Sequence, residues 1–324
     1  MKFNYLSHGK YITGGFLHEK FYAESLLAFL RSLGYKIEFK QIREHKFFDN
    51  WFAHLQLLFF GLKHSNADIN LLVSRFALPA LIKAIFSNNK YILVFHYEDE
   101  RDNSSIVLKY YFKLFFVLLN LIKTRNFAIL VVAPFWETYF RNKVNDCHVI
   151  YFPNLFNLKE YNSIKVAKKV KQIHLGQWSW KNDYKVFELA NRLTELGYNC
   201  YFSTNNTSET GRFNTYEIIA ENRESYLKRM AESTYTIAFT SINEGWNRVA
   251  HESILLGTNV IGFNLGGLGD LLKESNSFIV DDVDQALDII ISEKTVVPPD
   301  LFINKYSDLN AGKFLDSSIQ FVRN

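Results

Sequence analysis

The chain has 324 residues, 48% of them hydrophobic and 22% charged, as in an ordinary globular protein with room for two domains. Its two cysteines, Cys147 and Cys200, lack the spacing of a metal or redox motif, which argues against a disulfide framework and favours a reducing cytoplasm. A net charge of +4 fits anionic substrates or membranes but is too small to favour nucleic acid. The sequence shows neither a signal peptide nor the ~20-residue apolar run of a membrane-spanning helix.

The N-terminal half alternates strand-like apolar runs with helical patterns. The first strand is predicted at 3–7, and the segment HGKYITGG separates it from a helix near 17–33 whose apolar residues share one face. Gly34 is a natural terminator for this helix. Further strands are predicted at 36–42, 69–74, 91–95, 128–132 and 148–152. Repetition of this kind predicts a parallel sheet covered on both faces.

Residues 153–172 interrupt this alternation and are predicted to form a polar, solvated linker, with lysines at 165, 168, 169 and 171. A second series follows, with strands predicted at 173–176, 199–204, 234–240, 259–263 and 277–280. Helices are predicted at 185–197, 224–233, 247–256 and 308–322. The chain is therefore expected to form two doubly wound α/β domains in tandem.

The segment 243–272, NEGWNRVAHESILLGTNVIGFNLGGLGDLL, holds two glutamates eight residues apart. Glu244 follows a predicted strand, so it lies at the carboxyl edge of the sheet, where open α/β sheets bind ligands. Residues 245–248 open a helix whose free N–H groups and dipole suit a phosphate. The carboxylate of Glu252, inside that helix, suits the vicinal diol of a ribose. Gly266–Gly267 adds a pliable turn, and together these features are typical of a nucleotide-sugar site.

The same segment resembles the E-x7-E region of retaining glycosyltransferases of the GT-B fold, family 4 of the sugar-transferase classification. The matching residues are Glu244–Gly245, Glu252, Gly257, Val260–Ile261 and Gly266–Gly267, with Asp270 near the acid that follows. Weaker matches keep the family's order along the chain: Gly14–Gly15, Phe95–His96, Pro153–Asn154 and LGQWSWK at 175–181. The resemblance implies a GT-B fold, in which two Rossmann-like doubly wound parallel-sheet domains face each other across a cleft.

The resemblance also implies roles for the domains and for single residues. It implies an acceptor-binding domain at 1–158, a donor-binding domain at 159–305, and a C-terminal helix at 306–324 that packs back on the first domain. The implied donor-binding residues are Gly15, Lys181, Gly245, Trp246, Asn247, Arg248 and Glu252, the last holding the ribose. The catalytic candidates are Glu244, at the donor sugar, and His96, near the donor sugar or the acceptor hydroxyl. His18 and Asp99 are the acceptor candidates.

The implied reaction is transfer of a sugar from a nucleoside diphosphate sugar to a hydroxyl, with retention at the anomeric carbon. It requires no cofactor and no metal, and we assign no DxD arrangement in the sequence to a metal. The chain departs from the family at Gln177, where an arginine is frequent. One hypothesis is that Arg248, together with Lys181, supplies the missing charge to the diphosphate. The alternative is that Arg248 is a surface residue whose stem packs along its helix.

The acceptor is indicated only by the segment 106–123, IVLKYYFKLFFVLLNLIK. On a helix its polar residues form one narrow stripe: Lys109, Lys113, Asn120 and Lys123. One interpretation is a buried helix with a wet edge, and the other is a surface that meets lipid phosphates. The stretch 54–63, apolar with basic edges, adds to the second. A glycan or lipid-linked acceptor in envelope polysaccharide synthesis fits a cytoplasmic protein at the inner face of the membrane.

Three alternatives stay open. The chain could be another GT-B enzyme that uses nucleotide sugars, such as an epimerase or an inverting transferase, although the E-x7-E pair argues against it. It could be a noncatalytic GT-B module that binds partners or lipids. A dinucleotide-dependent oxidoreductase is the weakest alternative, because no Gly-x-Gly-x-x-Gly follows the first strand.

Overall fold

The computed structural model describes residues 1–8, 14–44, 51–96, 106–122, 125–179, 181–204, 216–220 and 222–324. The chain divides into two compact units. Unit 1 comprises Met1–Asn154 and Asn310–Asn324, and unit 2 comprises Leu155–Leu309.

Unit 1 is built on a six-stranded parallel sheet with the strand order β2-β1-β3-β4-β5-β6. The strands are β1 (Lys2–His8), β2 (Glu38–Glu44), β3 (Ile69–Val73), β4 (Lys90–Phe95), β5 (Phe127–Val131) and β6 (His148–Tyr151). Strands β3 and β5 are buried along their whole length. This explains why their sequences are nearly unbroken apolar runs instead of alternating patterns.

One α-helix connects each of these strands to the next strand along the chain. These helices are α1 (Gly14–Ser32), α2 (Trp51–His64), α3 (Ala77–Phe86), α4 (Ile106–Leu121) and α5 (Pro134–Lys143). Parallel crossovers are right-handed, so α1, which leads back to the edge strand β2, lies on the opposite face of the sheet from α2, α3 and α4. Within the described parts of the chain, no helix combines the length and the hydrophobicity needed to cross a membrane.

Unit 2 contains a second six-stranded parallel sheet, with the order β12-β11-β10-β7-β8-β9. Its strands are β7 (Gln172–Gln177), β8 (Asn199–Thr204), β9 (Glu217–Ala220), β10 (Tyr235–Ala238), β11 (Asn259–Gly262) and β12 (Phe278–Ile279). Its helices are α6 (Leu158–Asn162), α7 (Tyr184–Glu195), α8 (Arg223–Glu232), α9 (Arg248–Leu255), α10 (Gly266–Glu274), α11 (Val283–Ile291) and α12 (Asp300–Lys305). The predicted α/β class with two doubly wound parallel sheets is confirmed.

The C-terminal helix α13 (Ala311–Arg323) belongs to unit 1. It packs on α1 and β6, and the hydroxyl of Tyr22 donates a hydrogen bond to Ser318 Oγ at 2.9 Å. Leu315, Ile319 and Phe321 are buried on its inner face. The end of the chain thus completes the layer that contains α1.

The predicted solvated linker is wrong in its first half. Leu155, Phe156 and Tyr161 are buried, and the Phe156 N–H donates to the Tyr306 carbonyl at 2.9 Å. The spacing of these three residues follows neither a helical nor a strand period, which is why the sequence pattern misses them. Residues 165–171 are exposed, as expected for a connector.

Acidification should destabilise unit 2, because His174 on β7 is fully buried between Thr236 and Ser203. Burial lowers the pKa of His174 to about 3, whereas an unfolded histidine titrates near 6.5. Between pH 6.5 and the folded-state pKa, the unfolded chain binds a proton that the folded chain does not. Stability that is present at higher pH is therefore lost as the pH falls. We expect His174 to lower the unfolding free energy by about 2 kcal/mol between pH 8 and pH 5, measured by urea unfolding.

The variant His174→Gln keeps a polar side chain but does not titrate, so its unfolding free energy should depend less steeply on pH. His148→Gln is the matched control, because His148 lies at the surface of unit 1. Burial and the charge of Arg248 also lower the pKa of His251, which acts in the same direction. A wild-type pH dependence in His174→Gln would contradict this account.

Candidate functional site

The carboxyl ends of β7 and β10 lie side by side at the centre of the unit 2 sheet. The chain runs outward from β7 to β8 and β9, and it returns on the other side of β7 as β10. The connections that follow β7 and β10 therefore lead to opposite sides of β7, which makes this position the topological switch point of the sheet. In open α/β sheets, such a switch point is where ligands bind.

The loop after β7 is fixed onto the segment that follows β10. The Lys181 carbonyl accepts hydrogen bonds from the Ser241 N–H at 2.9 Å and from its hydroxyl at 3.2 Å. The Asp183 N–H donates to the Phe239 carbonyl at 3.1 Å. As a result, Lys181 Nζ lies 3.5 Å from Glu244 Oε2, with a quarter of the lysine side chain exposed. A cation and a carboxylate thus meet at the switch point.

Gly266 holds the start of α10 against Glu244. The two residues form a parallel bridge, and the Gly267 N–H donates to the Glu244 carbonyl at 2.8 Å. Gly266 has φ +54°, and a Cβ atom there would lie 2.6 Å from that carbonyl oxygen. The position requires glycine because two backbones approach closely. The Gly-Gly turn therefore has a structural function within unit 2.

The turn 245–247 is anchored by its own side chains. Asn247 caps α9, because its side chain accepts a hydrogen bond from the Ala250 N–H at 2.9 Å. Trp246 is 6% exposed, and its indole N–H donates to His251 Nδ1 at 3.0 Å. This indole packs 5.0 Å from the Tyr306 ring. These contacts fix the backbone of the predicted phosphate-binding turn, which a preorganised anion site requires.

Glu252 differs from Glu244 in being 2% exposed and ion-paired on both oxygens. Arg248 Nε donates to Oε1 at 2.9 Å, and Arg223 Nη1 donates to Oε2 at 3.0 Å. The hydroxyl of Tyr161 lies 3.3 Å from Oε1. Burial alone would lower the pKa of Arg223, but the Glu252 carboxylate raises it, so the guanidinium stays charged. The predicted ribose ligand is therefore the counter-ion of two arginines.

Arg248 was expected to reach the donor diphosphate. In the structure its guanidinium contacts Glu252 and lies 4.7 Å from the centroid of the Phe156 ring. The side chain is 23% exposed, close to the alternative of an arginine that packs along its helix. The second arginine on Glu252, Arg223, is missed by the sequence interpretation, because it precedes Glu252 by 29 residues and carries no motif.

Unit 1 brings its own candidates together near the start of α1. His96 Nε2 lies 2.8 Å from Glu19 Oε1, and the Tyr5 hydroxyl donates to Glu19 Oε2 at 2.7 Å. A Cβ atom on Gly15 would lie 3.0 Å from His96 Nε2, so glycine permits this approach. His18 is buried, with its ring edge-on to His96 at 5.5 Å and Nε2 2.8 Å from the Phe152 carbonyl.

Glu19, at 5% exposure, is a site residue that the sequence interpretation missed. Its carboxylate bridges a tyrosine and a histidine, which fixes the orientation of the His96 ring. Burial and the neighbouring Glu19 charge raise the pKa of Tyr5, so Tyr5 acts as a hydrogen-bond donor. The only available signal was its position one turn after Gly15. The acceptor candidate Asp99 lies outside the described residues.

No family model and no curated protein matches the sequence. The fold, however, is similar to solved glycosyltransferase structures. The structural alignment with a glycosyltransferase from Rickettsia africae covers 99% of this chain and 96% of the other chain, at 14% identity and with a TM-score of 0.61. Anabaena HepE, in complex with UDP and glucose, covers 100% and 97% at 13% identity, with a TM-score of 0.64.

A third similar structure, the UDP-GlcNAc 2-epimerase from Methanocaldococcus jannaschii, covers 97% of this chain and 99% of its own at 12% identity, with a TM-score of 0.53. At these identities the similarity establishes the fold alone. The GT-B fold expected from the sequence is confirmed. Among the residues that the structure describes, no cluster of three or more His, Cys, Asp or Glu side chains could hold a metal ion.

The variant Glu252→Gln should destabilise unit 2, because it keeps the shape of the side chain and removes the charge shared by Arg223 and Arg248. Removing one partner of a buried ion pair costs about 3–5 kcal/mol. We expect about 2–3 kcal/mol, because both guanidinium groups are partly exposed. Urea unfolding measures the change.

The double variant Glu252→Gln/Arg248→Gln should recover part of this loss, because it removes the arginine whose Nε pairs with Glu252, whereas Arg223 keeps its ion pair with Glu160 at 3.1 Å. A single variant within about 0.5 kcal/mol of wild type, the range of ordinary surface changes, would show that Glu252 is not the counter-ion.

Proposed function

We propose that the chain is a glycosyltransferase that moves a sugar from a nucleoside diphosphate sugar to a hydroxyl of a glycan or lipid-linked acceptor. The observation that carries the proposal is the Lys181–Glu244 pair, 3.5 Å apart at the switch point of unit 2 and next to the start of α9. HepE, which has a similar fold, was solved with UDP and glucose, and this supports a nucleotide-sugar donor.

In this proposal the donor diphosphate binds at the start of α9. Its negative charge grows as the bond to the sugar breaks. Lys181 and the backbone N–H groups of residues 245–248 stabilise this charge, and their fixed positions lower the cost of reorganisation. This set of donors serves in place of a metal ion. Arg248 joins it only if its guanidinium leaves Glu252.

Glu244 meets the donor sugar, and the sugar is transferred with retention at its anomeric carbon. Glu252 binds the ribose once one of its arginines has moved aside, because both of its oxygens are otherwise occupied. In unit 1, His96 meets the acceptor hydroxyl, with Glu19 as the positioning residue that orients its ring. The enzyme acts in the cytoplasm, at the inner face of the membrane, in envelope polysaccharide synthesis.

The epimerase with the same fold favours one second candidate, in which the chain changes the configuration of a nucleotide sugar without transferring it. The two functions yield different products. Incubation with a UDP-sugar gives either a transferred or hydrolysed sugar with free UDP, or an epimeric UDP-sugar. Proton NMR of the mixture distinguishes these outcomes, and the anomeric coupling of the transferred sugar in its new glycosidic linkage reports retention.

The variant Glu244→Gln should lose turnover without losing the nucleotide. Its carboxylate is proposed to meet the sugar, so we expect sugar release from the donor to fall at least tenfold. Affinity for the nucleoside diphosphate should stay within about threefold, less than the ~1.4 kcal/mol of a tenfold change. Product assays and calorimetry measure the two quantities.

Glu195→Gln is the matched control, because Glu195 is an exposed glutamate at the C-terminal end of α7, remote from the carboxyl ends of the strands. It should behave as wild type in both assays. Turnover of Glu244→Gln equal to that of the control would remove Glu244 from the donor site.

A further inference from the structure

Helix α4 presents an apolar stripe to solvent. Tyr110, Leu114, Val117 and Leu121 are 63%, 50%, 48% and 74% exposed. Their spacing of four, three and four residues puts them on one face of the helix. The interpretation of this segment as a buried helix with only a lysine edge exposed is therefore wrong for these four side chains.

The neighbouring helices extend this stripe. Phe59 of α2 is 67% exposed, and Ile85 and Phe86 of α3 are 40% and 82% exposed. Helix α3 packs against both α2 and α4, and the three lie on the same face of the unit 1 sheet. We call their outward side chains together the α4 surface. It carries seven large exposed apolar side chains on three packed helices, whereas exposed apolar side chains that are scattered singly are normal on a protein surface.

The charges of the α4 surface have one sign. The sequences of α2, α3 and α4 contain no aspartate or glutamate. They contribute four lysines, Lys63, Lys83, Lys109 and Lys113. The acids nearest to α4 in sequence, within 98–102, precede it and lie outside the described residues. An apolar surface with lysines and no acids complements an anionic lipid surface, in which apolar side chains enter the boundary layer and lysines meet phosphates.

We propose that the α4 surface docks the enzyme on an anionic membrane. A second copy of the chain is a poorer occupant, because twofold pairing would oppose the lysines of both copies without a carboxylate from these helices to offset them. The membrane is thus the proposed partner of unit 1. Docking rests on the proposed function in one respect, because a transferase bound to the membrane would have access to a lipid-linked acceptor.

Cosedimentation of the full chain with vesicles tests the proposal. We expect binding to vesicles of 30% phosphatidylglycerol in phosphatidylcholine and little binding to phosphatidylcholine alone. Lys109→Glu/Lys113→Glu should weaken binding at least tenfold, about 1.4 kcal/mol. Leu114→Ser/Leu121→Ser should weaken it as well, because it removes apolar side chains that enter the lipid boundary.

Lys20→Glu/Lys313→Glu is the matched control, with the same change in net charge on α1 and α13 on the opposite face of the sheet. It should bind as wild type. Equal losses in both charge variants, or no binding by the wild type, would overturn the proposal. So would a wild-type dimer in sedimentation velocity that Leu114→Ser/Leu121→Ser dissociates, since a second copy would then cover the α4 surface. Release of nucleoside diphosphate from a soluble donor is measured without vesicles, so failed docking leaves the proposed transferase activity separately testable.

Discussion

The parallel pairing of β7 with β10 is the constraint on which the candidate site depends. Because the chain crosses from one side of β7 to the other, the carboxyl ends of these two strands form the switch point of the sheet. The hydrogen bonds from Ser241 to the Lys181 carbonyl fix the segment that follows β7 onto the segment that follows β10. Lys181 therefore has a defined distance from Glu244. The close backbone contact with Gly266 then fixes Glu244 from the α10 side.

The two glutamates of the E-x7-E segment lie in different electrostatic environments. Glu244 shares the switch point with a partly exposed lysine, so its charge remains accessible to a ligand. Glu252 lies one helix turn past Arg248 and is surrounded by Arg223, Arg248 and Tyr161. A ribose that binds Glu252 must first displace one of these partners. Donor binding is thus expected to be coupled to a rearrangement of an arginine, at a cost that the nucleotide contacts must offset.

The architecture could be predicted from the sequence because buried parallel strands consist of nearly continuous apolar runs. The strand predicted at 199–204, for example, has the same limits as β8. The sequence also predicted a candidate site segment, because Glu244, the start of α9 and Gly266 lie close together along the chain. It could not identify Glu19 or Arg223. Each joins the candidate residues through a contact between distant segments, Glu19 with His96 and Arg223 with Glu252. The burial of Phe156 was missed for the same reason, since its partner Tyr306 is 150 residues away.

The central claim is that a nucleoside diphosphate binds at the carboxyl ends of β7 and β10. Crystals soaked separately with UDP, GDP, ADP and CDP test it most directly. The account predicts that at least one of them binds with its diphosphate against Lys181 and the N–H groups at the start of α9, and with its ribose at Glu252 after Arg223 or Arg248 has moved. Nucleotide density only at another place in the chain, or none with all four ligands at millimolar concentration, would contradict it.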